Sequence, residues 1–340
     1  MRSILLAAAR RLAASVPTLF GIVIVSFVLT RVLPGDPAVY FAGAAPTPQA
    51  IEDLRRTLQL DQPLWQQFVS YLGHLAHGDL GRSLVTGQAV TTDLWARLPN
   101  TIELTATAFL LALVIAIPLG IQVALKRDHW LDHVVRTLST VALSVPGFFS
   151  ALVLLFVFYY LAGIAPAPLG RLDVLGFPPP EHTHFLLLDA ILAGEWATFA
   201  DALAHLALPA LALALTAVGP IARITRASML AVLSSDYIRA ARSHDLPRHV
   251  IVYRYALRNA LVPVITTAGF VISYLISANV VIEKVFAWPG IGSYALDALA
   301  SSDYAAVQGF ILSIAILYLL IGISLDIFAS VLDVRLRDGG

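Results

Sequence analysis

The sequence predicts an all-α, polytopic membrane protein with six transmembrane helices and both termini on the cytoplasmic side. Three observations carry that prediction. Hydrophobic residues make up 58% of the chain and charged residues only 13%, roughly half the charge of a soluble domain; the mean hydropathy is +0.80. Six charge-free runs are long enough to cross the roughly 30 Å hydrocarbon core as helices: Leu12–Thr30, Leu104–Leu125, a core of Ala142–Ile164, Ala202–Ala222, Asn259–Ile282 and Tyr304–Leu325. The basic residues alternate with these runs. Arg2, Arg10 and Arg11 precede the first, Lys126, Arg127 and Arg136 follow the second, seven arginines follow the fourth, and Arg335 and Arg337 follow the last. Short basic segments are retained on the inner side of a membrane, so these four segments are expected to be cytoplasmic. The opposite side holds Arg55, Arg56, Arg82, Arg97 and Arg171, spread over longer segments.

Taken in order, the first run has arginines before it and Ala42-Gly43-Ala44 after it, which superficially suits a signal peptide. That cleavage-like site lies beyond the polar turn Pro34-Gly35-Asp36-Pro37, too far from the apolar run, so an uncleaved first helix is expected. Residues 32–100 then form an extracytoplasmic helical lobe. Thr47-Pro48 is a helix start, a capping side chain followed by proline at the first helical position, and Ile51, Leu54 and Leu58 give that helix an apolar face. After Gln62-Pro63, a second amphipathic helix places Leu64, Phe68, Leu72 and Leu75 on one face. Residues 101–331 make up a five-helix core. Within it, Pro146-Gly147 and Pro209 interrupt spans, Phe185–Leu188 is too short to cross a membrane, and the proline-rich stretch from about Ala165 to Asp201 is an extracytoplasmic excursion. Residues 332–340 are a cytoplasmic tail. No internal repeat is visible.

Several chemistries are excluded. There is no cysteine and no net charge, so thiol chemistry and nucleic-acid binding have no basis. Neither a phosphate-cradling GxxxxGK[ST] nor an HExxH occurs. The pairs His74/His77, His182/His184 and His129/His133 draw notice. The last stands among Asp128 and Asp132 at i,i+4 spacing, but solvated loop histidines are the commoner case and no metal site is assigned. His205 reads as a polar group satisfied at the membrane interface. Glu103, Glu283 and Lys284 fall at span ends, and Asp326 lies near the cytoplasmic end of the last span, in a packing, boundary or transport role. Acids or histidines at mid-membrane, usual in proton-driven carriers, are absent, which points to an external source of energy. An ATP-independent secondary transporter or channel remains the alternative. It would need polar groups at mid-membrane or broken spans repeated in both halves. An intramembrane enzyme would need a convergent nucleophile and base.

The segment Arg223–Asn259 is the informative one. It carries Arg223, Arg226, Arg239, Arg242, Arg248, Arg254 and Arg258 against two acids, Asp236 and Asp245. Ser235 or Asp236 can cap a short helix through Tyr237-Ile238-Arg239-Ala240-Ala241-Arg242, and the small pair Ala240-Ala241 permits close approach by another surface. Asp245-Leu246-Pro247 ends that helix. A second helix from about Arg248 places Val250, Tyr253 and Leu257 on one face, with Arg254 and Arg258 beside it. Two readings fit: an amphipathic surface lying on anionic headgroups, or a lever that docks into a soluble partner.

The stretch DYIRAARSHDLPRHVIVYRYALRNALVPVIT resembles the signature cytoplasmic loop of binding-protein-dependent ABC importers, in particular the permeases of dipeptide and oligopeptide systems. Further pieces resemble that family in the family's order. They are Arg31-Val32-Leu33-Pro34-Gly35-Asp36-Pro37, Leu60-Asp61-Gln62-Pro63-Leu64, Gly78-Asp79-Leu80-Gly81-Arg82-Ser83, Leu98-Pro99-Asn100-Thr101-Ile102-Glu103-Leu104, Val285-Phe286-Ala287-Trp288-Pro289-Gly290-Ile291-Gly292 and Asp303-Tyr304. The resemblance implies a type I ABC importer permease fold in a bacterial inner membrane. It also implies a second homologous permease, two cytoplasmic ATPases holding ATP and Mg, and an extracytoplasmic solute-binding protein. This chain is then no enzyme and holds no cofactor of its own. By the same resemblance, Asp236, Tyr237, Arg239, Ala240, Ala241, Arg242, Asp245 and Leu246 form the ATPase-coupling loop. The family usually has glycine at the position of Asp245. Glycine there supplies a left-handed turn, a geometry that Asp tolerates better than most residues.

Overall fold

A computed structural model describes residues 2–32, 36–42 and 47–332. Pro34-Gly35, Gly43-Ala44, the tail arginines and the side chain of Asp326, all singled out above, lie outside the described residues. All regular secondary structure among the described residues is helical, apart from one isolated antiparallel bridge between Arg82 and Ala89. Helix α1 (Arg2–Val32) leads into a lobe of three short helices, α2 (Pro37–Phe41), α3 (Pro48–Thr57) and α4 (Leu64–Ala76). The bundle follows: α5 (Val90–Leu125), α6 (Trp130–Ser144), α7 (Gly147–Leu154), α8 (Leu186–Ala193), α9 (Trp196–Leu233), α10 (Asp236–Ser243), α11 (Leu257–Val285), α12 (Ile291–Ala300) and α13 (Tyr304–Leu332). Two π-helical segments extend it, Leu155–Leu161 after α7 and Val250–Ala256 before α11.

The core is made of α5, α9 and α11, and small residues bring their backbones together. Ala108, Ala112 and Ala116 recur every fourth position on α5 and are fully buried, as are Ala212, Ala214 and Ala217 on α9. Between spanning helices, where lipid is as apolar as leucine, close backbone approach through small residues drives association. Gly120 marks the tightest point of the α5–α9 contact. A Cβ there would lie 2.6 Å from Thr225 Cβ and 2.8 Å from the Ala222 carbonyl. Helix α1 packs at the edge, against α13, where Gln308 Nε2 donates to Thr30 Oγ1 at 2.9 Å. Its other faces expose Val16, Phe20, Val25 and Val28, the surface a helix presents to lipid.

Five helices are long and apolar enough to cross a membrane, and a sixth span exists only if α6 and α7 count together. The run Ala142–Ile164 is therefore not one straight helix: the chain bends by 105° between α6 and α7. Pro146 is the cause. It has no N–H to donate and forces the preceding residue out of helical geometry, and Val145 is extended at φ −90 and ψ 124. Pro209, read above as another interruption, sits inside the continuous 38-residue α9 together with Pro220. A spanning helix accommodates such prolines when its neighbours re-satisfy the freed carbonyls. Both α5 and α9 begin before their charge-free runs, at Val90 and Trp196.

The lobe follows its sequence signals. Thr47 Oγ1 accepts from Ala50 N at 3.2 Å and starts α3, and Asp36 Oδ1 accepts from Ala38 N at 2.9 Å and starts α2. An ion pair between Arg55 and Asp36 ties the two helices. Ile51, Leu54 and Leu58 are half-buried among exposed neighbours, as are Phe68, Leu72 and Leu75. Leu64 departs from that face and is 60% exposed, because it is the first residue of α4 and precedes the turn that packs.

Candidate functional site

Two constructions stand at opposite ends of α5, and the sequence motifs fall into them. At the lobe end, pieces of chain separated by some 180 residues meet. Glu283, on the last turn of α11, is fully buried. Its Oε1 accepts from Thr101 Oγ1 at 2.6 Å and from Asn279 Nδ2 at 3.2 Å, and its Oε2 accepts from Ser293 N at 2.9 Å. Thr101 Oγ1 in turn accepts from Ile291 N at 2.9 Å. Asn100 donates to the Pro289 carbonyl at 2.7 Å, while Trp288 Nε1 donates to the Asn100 carbonyl at 3.0 Å. The segment 285–292 is thus laced onto 98–104. Gly290 is required there, since a Cβ would fall 2.1 Å from Glu283 Oε1. Arg171 reaches in from the loop before α8, donating to Asn100 Oδ1 at 2.5 Å and pairing with Glu103. Burial pushes the Arg171 guanidinium down and Glu103 opposes that shift, the balance expected of a cation taken out of water beside its counter-ion.

A second lacing joins the lobe to α13. Asp303 is fully buried and accepts from Ser83 Oγ at 2.7 Å and from Leu84 N at 2.8 Å. Tyr294 points its hydroxyl at Asp93 Oδ2 at 3.3 Å, and burial, reinforced by the Asp93 charge, raises its pKa. Arg31 is gripped between the rings of Phe27 and Tyr304, each 4.9 Å from its Cζ, and Nε donates to Gln67 at 2.8 Å.

The opposite end, called the basic end here, carries α10. This helix starts at Ser235, but no side chain caps it: Ser235 Oγ donates back to the Val232 carbonyl at 2.6 Å. Asp236 occupies the first turn and pairs with Arg239 on the exposed side. Such a pair contributes little to stability. The two alanines part company. Ala240 is exposed, whereas Ala241 is 7% exposed and belongs to a core with Ile238, Ile251, Val252 and Ala256. Only Ala240 can therefore meet a partner directly, because at 100° per residue neighbours cannot share a face. The same core takes in Ile121 and Ala124 of α5, Met229 of α9 and Ala260 of α11, so α10 is rooted in the ends of all three core helices. Its outward side shows Tyr237, Arg239, Ala240 and Ser243. Tyr237 also accepts a 2.9 Å hydrogen bond from Asn259 Nδ2.

Asp245 takes the left-handed conformation foreseen for it, at φ 53, and with Leu246 turns the chain back towards the bundle. The following helix differs from its expectation. Val250, Tyr253 and Leu257 do not share one face: Leu257 packs against the core beneath α10, Tyr253 is 55% exposed, and Ile251, Val252, Ala256 and Ala260 are buried. The cause is the π-helical geometry of Val250–Ala256, whose wider turn advances the inward face by more than the 3.6 residues assumed from the sequence.

Among the histidines, His205 is buried, with Nδ1 3.0 Å from the Asp201 carbonyl. Asp132, flanking the His129/His133 pair, is committed elsewhere: it receives Arg226 through two hydrogen bonds of 2.8 and 2.5 Å. No group of metal-ligating side chains occurs among the described residues. The Asp132–Arg226 pair, which joins α6 to α9, was not foreseen. Its one sequence signal is an acid in a basic loop two spans away from an arginine, which is too weak to read.

The family described as binding-protein-dependent transport system inner membrane component matches residues 116–338, and its N-terminal companion family matches residues 4–105. A probable D,D-dipeptide transport system permease of Escherichia coli is 43% identical over 320 residues, covering 94% of each chain. A di/tripeptide transport system permease of Pseudomonas aeruginosa is 40% identical over 330 residues, covering 97% of this chain and 98% of its own. A dipeptide transport system permease of Alkalihalophilus pseudofirmus is 38% identical over a similar span.

Proposed function

The chain belongs to the family of binding-protein-dependent transport system inner membrane components, and from that premise we propose that it is one permease subunit of an ATP-driven importer of short peptides or similar small solutes. Its basic end faces the cytoplasm. There α10 seats in a separate ATPase that holds ATP and Mg, a second homologous permease completes the pathway, and a solute-binding protein delivers cargo to the lobe end. The two permeases alternate between outward- and inward-facing states as two ATPases close and open.

One observation carries this reading: α10 is anchored on its inner side in the ends of α5, α9 and α11, and presents Tyr237, Arg239 and Ala240 outward. A partner whose shape changes with bound nucleotide has differential affinity for two positions of such a helix. That difference is all that is needed to shift the bundle between states. The peptide cargo is inferred from the names of the relatives, which are transport permeases for dipeptides and tripeptides.

The test is Ala240→Trp in the assembled transporter, purified in mild detergent and reconstituted. Membrane insertion and thermal midpoint are expected to stay at wild-type values, because the side chain is solvent-facing. Peptide uptake should fall at least tenfold, while the ATPases keep a basal turnover that the binding protein no longer stimulates. Wild-type uptake by this variant would remove α10 from the coupling role. Recovery of the wild-type chain without any Walker-motif ATPase, after crosslinking in the native membrane, would reinstate an ATP-independent carrier.

A further inference from the structure

The first span and the lobe enclose a hollow of about 690 Å³, walled by α1, α3, α4 and Tyr304 at the start of α13. We propose that it holds the headgroup of a zwitterionic phospholipid of the ethanolamine class. The charges around it close as two ion pairs, Arg55 with Asp36 and Arg56 with Glu52, and leave over one of each sign, Arg31 and Asp61. Among the described residues, neither Arg31 nor Asp61 meets an opposite charge. Arg31 is held in place. Its guanidinium lies between the rings of Phe27 and Tyr304, and its Nε donates to Gln67 Oε1 at 2.8 Å. Gln67 is itself buried and donates from Nε2 to the Gln62 carbonyl at 2.8 Å. Neither terminal nitrogen of Arg31 has an acceptor among the described residues, and Nη1 is buried, a costly state for a charged donor. A phosphate oxygen is the acceptor that this fixed guanidinium lacks. Asp61, exposed on the rim, is the counter-charge for an ammonium.

Two spans set the level of the hollow. Arg31 is the first residue after the charge-free run Leu12–Thr30, and Tyr304 is the first residue of the run Tyr304–Leu325. Both stand where a membrane changes from hydrocarbon to headgroup. Phe27 and Val28, inside the first run, wall the hollow on the hydrocarbon side, and Glu52 and Asp61 wall it on the side of the lobe. Nearby the lobe exposes Tyr40 and Trp65, amphipathic rings of the kind that gather at that level. On α1, Val25, Val28 and Val32 are exposed at spacings of three and four, which puts them on one face. That stripe starts in the hollow and runs along the span, so acyl chains can follow it; a small solute or the surface of a soluble protein would leave it uncovered. Chemistry narrows the headgroup. An anionic one would set a net negative charge against Asp61, and a choline would offer that carboxylate no N–H. An arginine just past a span ordinarily snorkels to whichever phosphate is near, whereas the grip of Phe27, Tyr304 and Gln67 fixes this one in a single place. The inference needs only a chain inserted in a membrane, so it and the proposed function can fail independently.

The experiment is native mass spectrometry of the full-length chain, delipidated and then incubated with phosphatidylethanolamine, phosphatidylglycerol or phosphatidylcholine, or with phosphatidylethanolamine plus excess glycerophosphoethanolamine. The wild-type chain should retain one phosphatidylethanolamine at collision energies that strip the other two lipids, and the chainless headgroup should not displace it. Arg31→Gln should lower that retention about tenfold. Because Arg31→Gln also removes a contact of the lobe, a second variant keeps the test sound. Asp61→Asn, an exposed change with no partner to lose, should leave the thermal midpoint at its wild-type value and bring phosphatidylethanolamine down to the retention of phosphatidylglycerol. Equal retention of the three lipids by the wild-type chain, or retention that neither variant alters, would mean annular lipid and overturn the proposal. Displacement by glycerophosphoethanolamine would assign the hollow to a free zwitterion instead. A photoactivatable phosphatidylethanolamine should crosslink the wild-type chain within residues 25–32 and 52–67, and crosslinks confined to α6 and α7 would equally overturn it. Crosslinking of residue 61 to a solute-binding protein in the assembled transporter, with no phosphatidylethanolamine retained, would give the hollow to a protein partner.

Discussion

Replacing Asp303 with alanine should free the segment 83–85 from the bundle. The carboxylate has no exposure and receives Ser83 Oγ at 2.7 Å, Leu84 N at 2.8 Å and, more weakly, Val85 N at 3.3 Å. It also helps start α13 by accepting from Ala306 N at 3.3 Å. A hydrogen bond to a charged group contributes about 1.5–3 kcal/mol. Taking only the two short bonds at the low end gives about 3 kcal/mol of local stability, or roughly a 100-fold rise in the open population. Hydrogen–deuterium exchange of the reconstituted protein measures that population directly. Peptides covering 80–90 should exchange about 100-fold faster in Asp303→Ala, while those covering α9 keep wild-type rates. Asp303→Asn keeps one acceptor oxygen without the charge and should fall between, with a rise of roughly tenfold. If 80–90 exchanged at the wild-type rate in Asp303→Ala, the hydrogen bonds to Asp303 would not be what holds that segment, and the packing of Leu80 and Val90 against Ala306 and Val307 would carry it instead.

Gly290→Ala forces a methyl into the Glu283 carboxylate, an overpacking that costs about 1–3 kcal/mol or more. The thermal midpoint should fall, and adding Glu283→Ala should cost less than the two separate losses combined; strict additivity would refute the contact. At Asp189, burial opposes the charge, but the hydrogen bonds from Thr183 prevail and hold the carboxyl below its ordinary 3.8. A depressed pKa stabilises the folded state above the unfolded value, and that contribution is lost as pH falls through the folded one. The midpoint difference between wild type and Asp189→Asn should accordingly be full at pH 7 and vanish only below the usual aspartate range; a difference that persisted in strong acid would exclude the charge as its source. Ala241→Trp should lower the midpoint by overpacking the core beneath α10, by about 1–3 kcal/mol, in contrast to Ala240→Trp. Equal midpoints for the two variants would mean that α10 does not sit with Ala241 inward.

The sequence made the spans legible because water-to-hydrocarbon transfer acts on each run separately, and the cap of α3 was legible because Thr47 acts on backbone three residues away; Asp36, read only as part of a polar turn, caps α2 in the same local way. What stayed hidden depended on distant partners or unusual backbone. Asn100, Thr101 and the 285–292 stretch were each noticed, but nothing in a single sequence says that Ile291 N will find Thr101 Oγ1. Glu283 read as a charge at a span end and proved to be the centre of a buried network. The inward face after α10 was misread because periodicity arguments assume an α-helix, and Val250–Ala256 is π-helical. The bend at Pro146 was visible as an interruption, but its size, 105°, depends on how α6 and α7 pack and not on the proline alone. At the candidate site, residue identities were legible and the division of labour between Ala240 and Ala241 was not, since it depends on the rotation of α10.

The unequal fastening of α5 and α11 has a mechanical meaning. At one end the pair is riveted through Thr101, Asn279 and Glu283, with Gly290 leaving no slack. At the other, α11 follows a wide π-helical turn and shares with α5 an apolar core that includes Ile121, Ala124, Ala256 and Ala260. Two rods riveted at one tip and merely leaning at the other form a pair of shears. Parting is resisted most at the riveted tips, and under the coupling role proposed for it α10, rooted between the other two, is the handle.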